Sequence, residues 1–556
     1  MIKKRFKSLF IILPLFIPIS SSAKSPSIRK VIIKRNSVFN TDLEKENKFI
    51  FRFANKVHFK TKEAVIKREL LFKENELYDE ELIKESERNL RAFNFIKAVV
   101  ISSVPIDANQ VDIVVETIDS WTTNPQAGFG KRADEVYYFA GFEELNFGGR
   151  GKNISVFYSR LGDKTQREIR YADPQFFGKK IHTVGLFSKV DDNEQLGFDI
   201  LSPFYTFRTP YSGSVSVIRQ RIEKEYFTGE EGLFDFYQRQ RFFRVQVGKK
   251  IKEERRMVER VNFGFEFRED KFDIPVNHLA RGFFDRKLVG LDAGFSLEEK
   301  DYIKVFNVYK MHRIEDINLG RGFYFSIGLA PEFLGSTKNY LYFNTFSRNG
   351  FRSLMNSFGL IGIGVEGRRS NRSENLITYG NVNYIIPFHA RWSQAIVAHS
   401  EIAYGQNLDA ENFLTLGGKS GLRGFKIDAF TGNHSMLTNI EYRAVHPREL
   451  FNLIHLGGAA FFDIGGVGSN WHSTINSTRS DIGIGLRIIP SRSSSGAPWR
   501  LDVARQISAG SNKKGWVISL FGGHAFDLFN NSIKKAKKKP LDYLRETDPD
   551  TRHSEK

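Results

Sequence analysis

Asp481-Ile482-Gly483-Ile484-Gly485-Leu486-Arg487-Ile488 sets four aliphatic residues in strict alternation with an aspartate, two glycines and an arginine. Successive side chains of a strand point to opposite faces, so one face of this segment is hydrocarbon and the other is bare or charged. One face wants an apolar solvent and the other wants water or counter-charge. Upstream, Phe461-Phe462-Asp463-Ile464-Gly465 repeats the pattern, with Ala460, Phe462 and Ile464 opposite Phe461, Asp463 and Gly465.

Further upstream, Ile396, Ala398, Ile402 and Tyr404 alternate with polar or small residues, and so do Thr438, Ile440, Tyr442 and Ala444. About thirty residues without alternation lie between these two segments, an interval long enough to be functional. At its centre is Leu416-Gly417-Gly418-Lys419-Ser420-Gly421-Leu422-Arg423-Gly424-Phe425, a glycine-rich loop with an arginine. Arginine stays protonated, so a loop that folds back into a partly dry interior must bring Arg423 to a carboxylate. Asp463 is the first candidate, with Glu441 and Asp481 in reserve.

From about Asn124 to Phe526 nothing reads as a helix, and alternating segments of about ten residues recur between Gly, Asn, Asp and Arg. Ile154, Val156 and Tyr158 oppose Asn153, Ser155 and Ser159; Phe323, Phe325, Ile327 and Leu329 oppose Ser326, Gly328 and Ala330. Tilted strands of that length span a bilayer, and closing them into a ring removes edges that hydrocarbon does not tolerate. The 52 Phe and 19 Tyr would supply the apolar band and its aromatic girdles. A soluble sandwich or propeller also alternates, but no blade-length repeat is visible. The expectation is a mainly β protein, a transmembrane antiparallel β-barrel of 16 strands preceded by a small α+β periplasmic domain. Five strands follow the arginine loop, at about 436–445, 456–466, 480–489, 499–507 and 513–526. More candidates precede it than the eleven that sixteen strands allow, so some are expected to be loop hairpins.

The amino end reads Lys3, Lys4, Arg5 and Lys7, then the apolar run Leu9 to Ile19, then Ser20-Ser21-Ser22-Ala23. This is an export signal, residues 1–23; the run is about half of what a membrane anchor needs and is broken by Pro14 and Pro18. Residues 24–122 form an amino-terminal segment and a small domain. Val31 and Ile33, and then Phe49, Phe51 and Phe53, alternate as in strands leading into it. Thr61 can cap a helix through Leu71, and Asp79 a second one in which Leu82, Ser86, Leu90 and Phe93 share a stripe. Two strands follow, Phe95 to Ser102 and Val111 to Thr117. Residues 123–529 are the barrel and 530–556 a basic polar tail containing Lys534, Lys535, Lys537, Lys538 and Lys539.

The formal net charge is +19 and there is no cysteine. Disulfides and thiolate metal sites are therefore excluded. For an exported chain anionic lipid head groups are a better counter-charge than nucleic acid. Gly-x-Ser-x-Gly and His-Glu-x-x-His are absent, and Phe413 stands where a phosphate loop has its first glycine. No catalytic residue, metal site or cofactor is read from the sequence, and the chain is expected not to be an enzyme.

Leu422-Arg423-Gly424-Phe425, Phe461-x-Asp463-x-Gly465, the closing strand from Gly515 to Phe526 and the single upstream domain together resemble the BamA/TamA superfamily of outer-membrane assembly and secretion barrels, the bacterial surface antigen family. Phe142 to Gly151 and Tyr171 to Gly178 look like its early barrel strands. The upstream order of strand, helix, helix, strand, strand, with Arg68-Glu69-Leu70-Leu71-Phe72 and Glu85 to Arg91, resembles one POTRA domain, and Val114 to Thr122 its last strand running into the barrel. The resemblance implies a lumenal loop whose arginine meets the aspartate of a later strand. It also implies a multi-pass protein of the bacterial outer membrane with its amino-terminal domain in the periplasm. The implied partners are outer-membrane lipids, unfolded client polypeptides held by the POTRA-like domain, and periplasmic accessory proteins. A seam between the first and last strands, marked by Gly128, Gly130, Trp516, Ile518, Leu520 and Phe526, would open sideways. A passive porin is the alternative. Two departures stand out: one POTRA-like domain where the insertases carry several, and thirty residues beyond Phe526 where such barrels usually end on an aromatic.

Alternation stops at Phe526 and a lysine run cannot sit in hydrocarbon. Truncation after Asn530 is therefore expected to leave a folded, membrane-inserted barrel, scored by heat-modifiable gel mobility; loss of insertion would misplace the last strand.

Overall fold

A computed structural model describes residues 25–522 except 133–134, 162–163, 192, 228–232, 276–281, 355, 390, 419–420, 427–428, 495 and 509–514. The expected export signal, Phe526 and the expected basic tail lie outside the described residues.

The amino-terminal domain runs β1 (Ser27–Asn36), α1 (Phe49–Val57), α2 (Glu63–Glu69), α3 (Glu80–Arg91), β2 (Ile96–Pro105) and β3 (Gln110–Asp119). Its sheet has the order β1-β3-β2, with β1 parallel and β2 antiparallel to β3. Ile28, Ile113 and Val115 of the sheet meet Val65 and Ile66 of α2 and Ile83 and Leu90 of α3 in one core. Asp79 caps α3, its carboxylate accepting from the amides of Glu81 at 2.9 Å and Leu82 at 3.3 Å. The stripe of α3 faces the core through Ser86 and Leu90, and the Ser86 hydroxyl accepts from the Leu71 amide at 2.9 Å.

Two expectations for this domain are corrected. Phe49, Phe51 and Phe53 belong to helix α1, not to a strand. Phe51 turns inward and stacks on Phe39 at 4.5 Å, joined by Val38 and Trp121, while Phe49 and Phe53 face outward. Aromatic alternation over five residues fits either period, and the Val38-Phe39 contact decides it. Thr61 is not a helix cap: α2 begins at Glu63 after Lys62, with no side-chain cap. The Thr61 hydroxyl accepts from Asn146 at 2.9 Å and is buried at the junction with the barrel.

Among the described residues twenty strands close into one barrel, from Thr123–Arg132 round to Trp516–Gly522, which meet to complete the ring. The expected sixteen is thus corrected to twenty. Five strands follow the arginine loop, at His434–Leu450, Ile454–Gly468, Arg479–Pro490, Trp499–Ser508 and Trp516–Gly522. The excess lies before the loop, where one pair of strands, Tyr302–Phe306 and Ile314–Asn318, is a hairpin outside the wall, as expected of some candidates, and fifteen others are barrel strands. Alternation identifies a strand; how many a ring takes is fixed by tilt and stagger, which no single segment records.

The alternation sorts the two faces. Ile484 is 68% exposed on the outside and Asp481 is 0% exposed on the inside. Phe323, Phe325, Ile327 and Leu329 all face outward. Backbone groups pair around the ring, so neither strand face has to supply partners for them.

The domain sits against one end of the barrel. Asn146 donates to the Phe59 carbonyl at 3.0 Å, the Lys62 amide donates to the Gly149 carbonyl at 2.8 Å, and Arg208 pairs with Asp79 at 2.9 Å. The linker is pinned where it enters the first barrel strand: the Trp121 amide donates to the Arg492 carbonyl at 2.7 Å, and the Ser494 amide to the Trp121 carbonyl at 3.0 Å.

At this junction Gln175 donates to the Val65 carbonyl at 3.0 Å and to the Glu69 carboxyl. Burial pushes that carboxyl from 4.5 up to about 7, outweighing the Gln175 hydrogen bond and the nearby Lys180 and Arg68. A raised folded pKa means that between those two values the native chain keeps a proton that the unfolded chain releases, so stability falls as pH rises through this window. We expect hydrogen-exchange protection factors at residues 62–70, referenced to the intrinsic rate at each pH, to fall from pH 5 to pH 7.5 and Glu69→Gln to flatten the change. A Gln variant with undiminished pH dependence would assign the effect elsewhere.

Candidate functional site

The loop between strands Ser393–Gln406 and His434–Leu450 leaves the barrel wall through a short ribbon, Leu414–Leu416 against Phe430–Gly432, and re-enters the lumen. Two turns shape its tip: the Leu422 amide donates to the Gly417 carbonyl at 3.1 Å, and the Phe425 amide to the Leu422 carbonyl at 3.1 Å. Gly421 has φ +121°, and a Cβ there would meet the Leu437 side chain at 2.3 Å, so glycine is required twice over. Leu422 and Phe425 seat the tip among Leu416, Leu437 and Val467.

Arg423 is 2% exposed. Its guanidinium forks onto Asp463, Nε to Oδ2 and Nη2 to Oδ1, both at 2.8 Å, while Nη1 pairs with Glu441. Its backbone amide also donates to Asp463 at 3.3 Å. The guanidinium carbon lies 3.5 Å from the centre of the Phe461 ring. The structure therefore joins Arg423 to the first candidate and to one reserve. Between Asp481, the other reserve, and Arg423 no hydrogen bond or ion pair is seen among the described residues; Asp481 stands opposite Asp463 across the strand pair, against Gly424. A Cβ on Gly424 would approach the Asp481 Cβ to 2.6 Å.

Residues not singled out complete the network. Asn439 donates to both Asp463 and the Gly421 carbonyl at 2.7 Å. Glu441 also takes Arg443 at 2.5 Å, and Arg487 reaches it at 3.4 Å. Arg487 and Arg500 share Asp502, at 2.5 and 3.1 Å. Gln506 donates to the Gly424 carbonyl at 2.7 Å. All lie at inward parity on four consecutive strands, a signal present in the sequence. The two glycines of the decisive stretch belong to this network: a Cβ on Gly483 would strike the Phe461 ring at 2.3 Å, and one on Gly485 would sit 2.0 Å from the Asp502 carboxylate.

The loop is held at its root as well. Arg286 pairs with Glu411, and Arg368 with Asp409 at 2.9 and 2.5 Å. From the opposite end a hairpin, Tyr302–Phe306 and Ile314–Asn318, enters between strands Arg286–Glu299 and Gly322–Ala330. Val308 and Ile317 pack on the inner face against Phe358, Leu360, Ile385 and Val397. The Val308 carbonyl accepts from Arg443 at 3.2 Å. Asp316 takes Arg91 of α3 bidentately, at 2.7 and 2.9 Å, and Arg313 donates to the Ser120 hydroxyl at 2.6 Å. A continuous polar chain thus runs from α3 through the hairpin and Arg443 to Glu441 and Arg423.

Of the seam residues, Gly128 and Gly130 lie in the first strand, paired with Phe139 and Tyr137 of the second. Trp516, Ile518 and Leu520 lie in the last strand with outward, exposed side chains. Phe526 lies outside the described residues.

Residues 146–526 match the Omp85 superfamily domain, and residues 52–117 match the POTRA family described as a surface antigen variable number repeat. A candidate outer membrane protein assembly factor of Treponema pallidum is 29% identical over 153 residues, 26% of this chain and 18% of that relative, so the match spans less than a fifth of the relative's length. CdiB from Acinetobacter baumannii superposes with a TM-score of 0.45 at 13% identity, covering 89% of this chain and 73% of that one. BamA from Haemophilus ducreyi lacking POTRA domains 1–3 does so with a TM-score of 0.35 at 14% identity, covering 89% and 83%.

Removing one member of a buried ion pair strands the other charge, typically at about 3–5 kcal/mol. Arg423→Ala is therefore expected to lower the urea midpoint of the reconstituted barrel and weaken its heat-modifiable mobility, with Asp463→Ala costing a similar amount. The double variant should cost clearly less than the sum, and strict additivity would mean that the contact carries no coupling energy.

Proposed function

This chain belongs to the Omp85 superfamily, and on that premise we propose that it inserts or translocates client polypeptides, or lipid, through a lateral seam in its barrel. It is an outer-membrane β-barrel with its POTRA domain in the periplasm. The periplasmic domain would offer a sheet edge to an unfolded client by β-augmentation. The work is conformational, without catalytic residue or cofactor.

The observation that carries this reading is the make-up of the joint at which the ring closes. Its first strand, Thr123–Arg132, contains Pro125, Gly128 and Gly130. Proline cannot donate to a ladder and is confined to edges, and glycine weakens a strand. The Trp121 linker, pinned beneath the turn that follows Arg479–Pro490, ends beside this joint, so movement of the POTRA domain would be felt there first. Two insertions into the lumen favour the seam over the passive porin reading: the arginine loop enters from one end and the hairpin from the other.

The test uses the absence of native cysteine. Gly128→Cys, paired with a cysteine at the facing residue of the last strand near Leu520, can be oxidised where the Cα atoms lie within about 4.4–6.8 Å. We expect the crosslinked protein to fold and reach the membrane yet to lose client insertion, with recovery on reduction. A porin would pass solute unchanged. Wild-type activity with the crosslink confirmed by mass would reject the gate.

A further inference from the structure

Helix α1 has three faces, of which the amino-terminal domain uses one. Phe51 and Ala54 pack on Val38, Phe39 and Trp121, and the side-chain amide of Asn55 holds the backbone of Phe39 at 2.8 and 3.1 Å. At 100° per residue, Phe49, Ile50, Phe53 and Val57 fall on a second arc about 100° wide, and Arg52 and Lys56 lie together beside it. All four apolar side chains are exposed, Phe49 to 77%. Domains in water rarely leave a contiguous apolar stripe uncovered beside a packed one.

The cations set the kind of surface that fits. Lys45, Lys48, Arg52, Lys56, Lys60 and Lys62 stand within twenty residues, against Glu44 and Glu46, and Glu46 is buried in a pair with Arg492 at 2.7 Å. An apolar face flanked by lysine and arginine is the pattern of a helix that lies in a bilayer interface, with hydrocarbon under the stripe and anionic head groups against the cations.

Position supplies the second observation. The segment is fixed to the barrel rim: Asn452, in the turn after strand His434–Leu450, donates to the Lys45 carbonyl at 2.9 Å, and Arg492 lies in the turn after Arg479–Pro490. Phe59, two residues beyond the helix, stands edge-on to Phe147 at 5.7 Å. Phe147 ends the second barrel strand and is exposed, as are Phe142 and Tyr138 before it. The uncovered patch at α1 is thus continuous with the band that the barrel turns to lipid, at the rim nearest the closing joint.

We propose that α1 is an interfacial helix that docks the POTRA domain onto the anionic phospholipid surface around the barrel, with Phe49, Ile50, Phe53 and Val57 in the acyl-chain boundary and Lys48, Arg52 and Lys56 among the head groups. The contact depends on the barrel spanning a bilayer and is independent of the lateral seam.

The test places single labels in the full, naturally cysteine-free chain. Phe53→Cys and, on the water-facing side of α3, Lys84→Cys are each labelled with an environment-sensitive fluorophore after reconstitution into phosphatidylethanolamine and phosphatidylglycerol vesicles. Lipids spin-labelled in the acyl chain are expected to quench the label at position 53 several-fold more than that at position 84. Adding Lys48→Glu, Arg52→Glu and Lys56→Glu should abolish most of that difference while heat-modifiable mobility stays at the wild-type level. Equal quenching at the two positions in folded barrel overturns the proposal. So does a label at position 53 that becomes shielded only when envelope proteins are added, which would assign the stripe to a protein. Quenching that is indifferent to the three charge reversals overturns the anionic-surface assignment.

Discussion

Hydrocarbon offers no partner to a backbone amide or carbonyl, and most of this architecture follows from that constraint. It demands that the strands pair and that the last one find the first, which twenty strands do here. It also demands that the polar half of each alternating strand turn inward. Charge excluded from the outer face collects in the lumen, where it has to be neutralised in a small volume. On strands His434–Leu450 to Trp499–Ser508 four carboxylates and three arginines are buried on one side, and the loop adds Arg423. The Arg423–Asp463 pair is in this sense a consequence of the barrel: an inward carboxylate such as Asp463 is costly until a cation arrives, and the loop delivers one with geometry that satisfies both carboxylate oxygens.

The same lumen joins parts that are far apart in sequence. Arg91 of α3 and Arg423 of the loop share no contact, yet Asp316, the hairpin backbone, Arg443 and Glu441 connect them by hydrogen bonds and ion pairs. Such a chain transmits nothing unless it has two arrangements. What it does provide is a common footing: displacing the hairpin removes Val308 from Arg443, and Glu441 then holds Arg423 with one of its own supports missing.

The sequence was legible where alternation is strict and solvent decides the face. Asp481 to Ile488 declares its two sides without help, and the five strands after the loop lie close to where that pattern puts them. Arg423 and its two carboxylates were legible because a buried guanidinium has few alternatives. Asp481 misled because parity places it inward as well as Asp463; only the register puts Gly424, not Arg423, against it. The strand number was illegible since closure depends on stagger summed around the ring. Helix α1 was illegible for the opposite reason: its exposed stripe makes its aromatics look alternating, and a helix with apolar residues on two faces has no clean period.

Every described pairing in the wall but one joins strands that are consecutive among the wall strands, two of them across the inserted hairpin and the arginine loop, so almost the whole sheet can form by local pairing. The remaining joint must bring Thr123–Arg132 to Trp516–Gly522, from opposite ends of the barrel sequence. Loop-closure entropy makes that the costliest contact to find, and topology of this kind slows folding. Until it forms, two unpaired edges are presented at once, each able to recruit a foreign strand. The rate at which the barrel itself is born should therefore be set by its final joint.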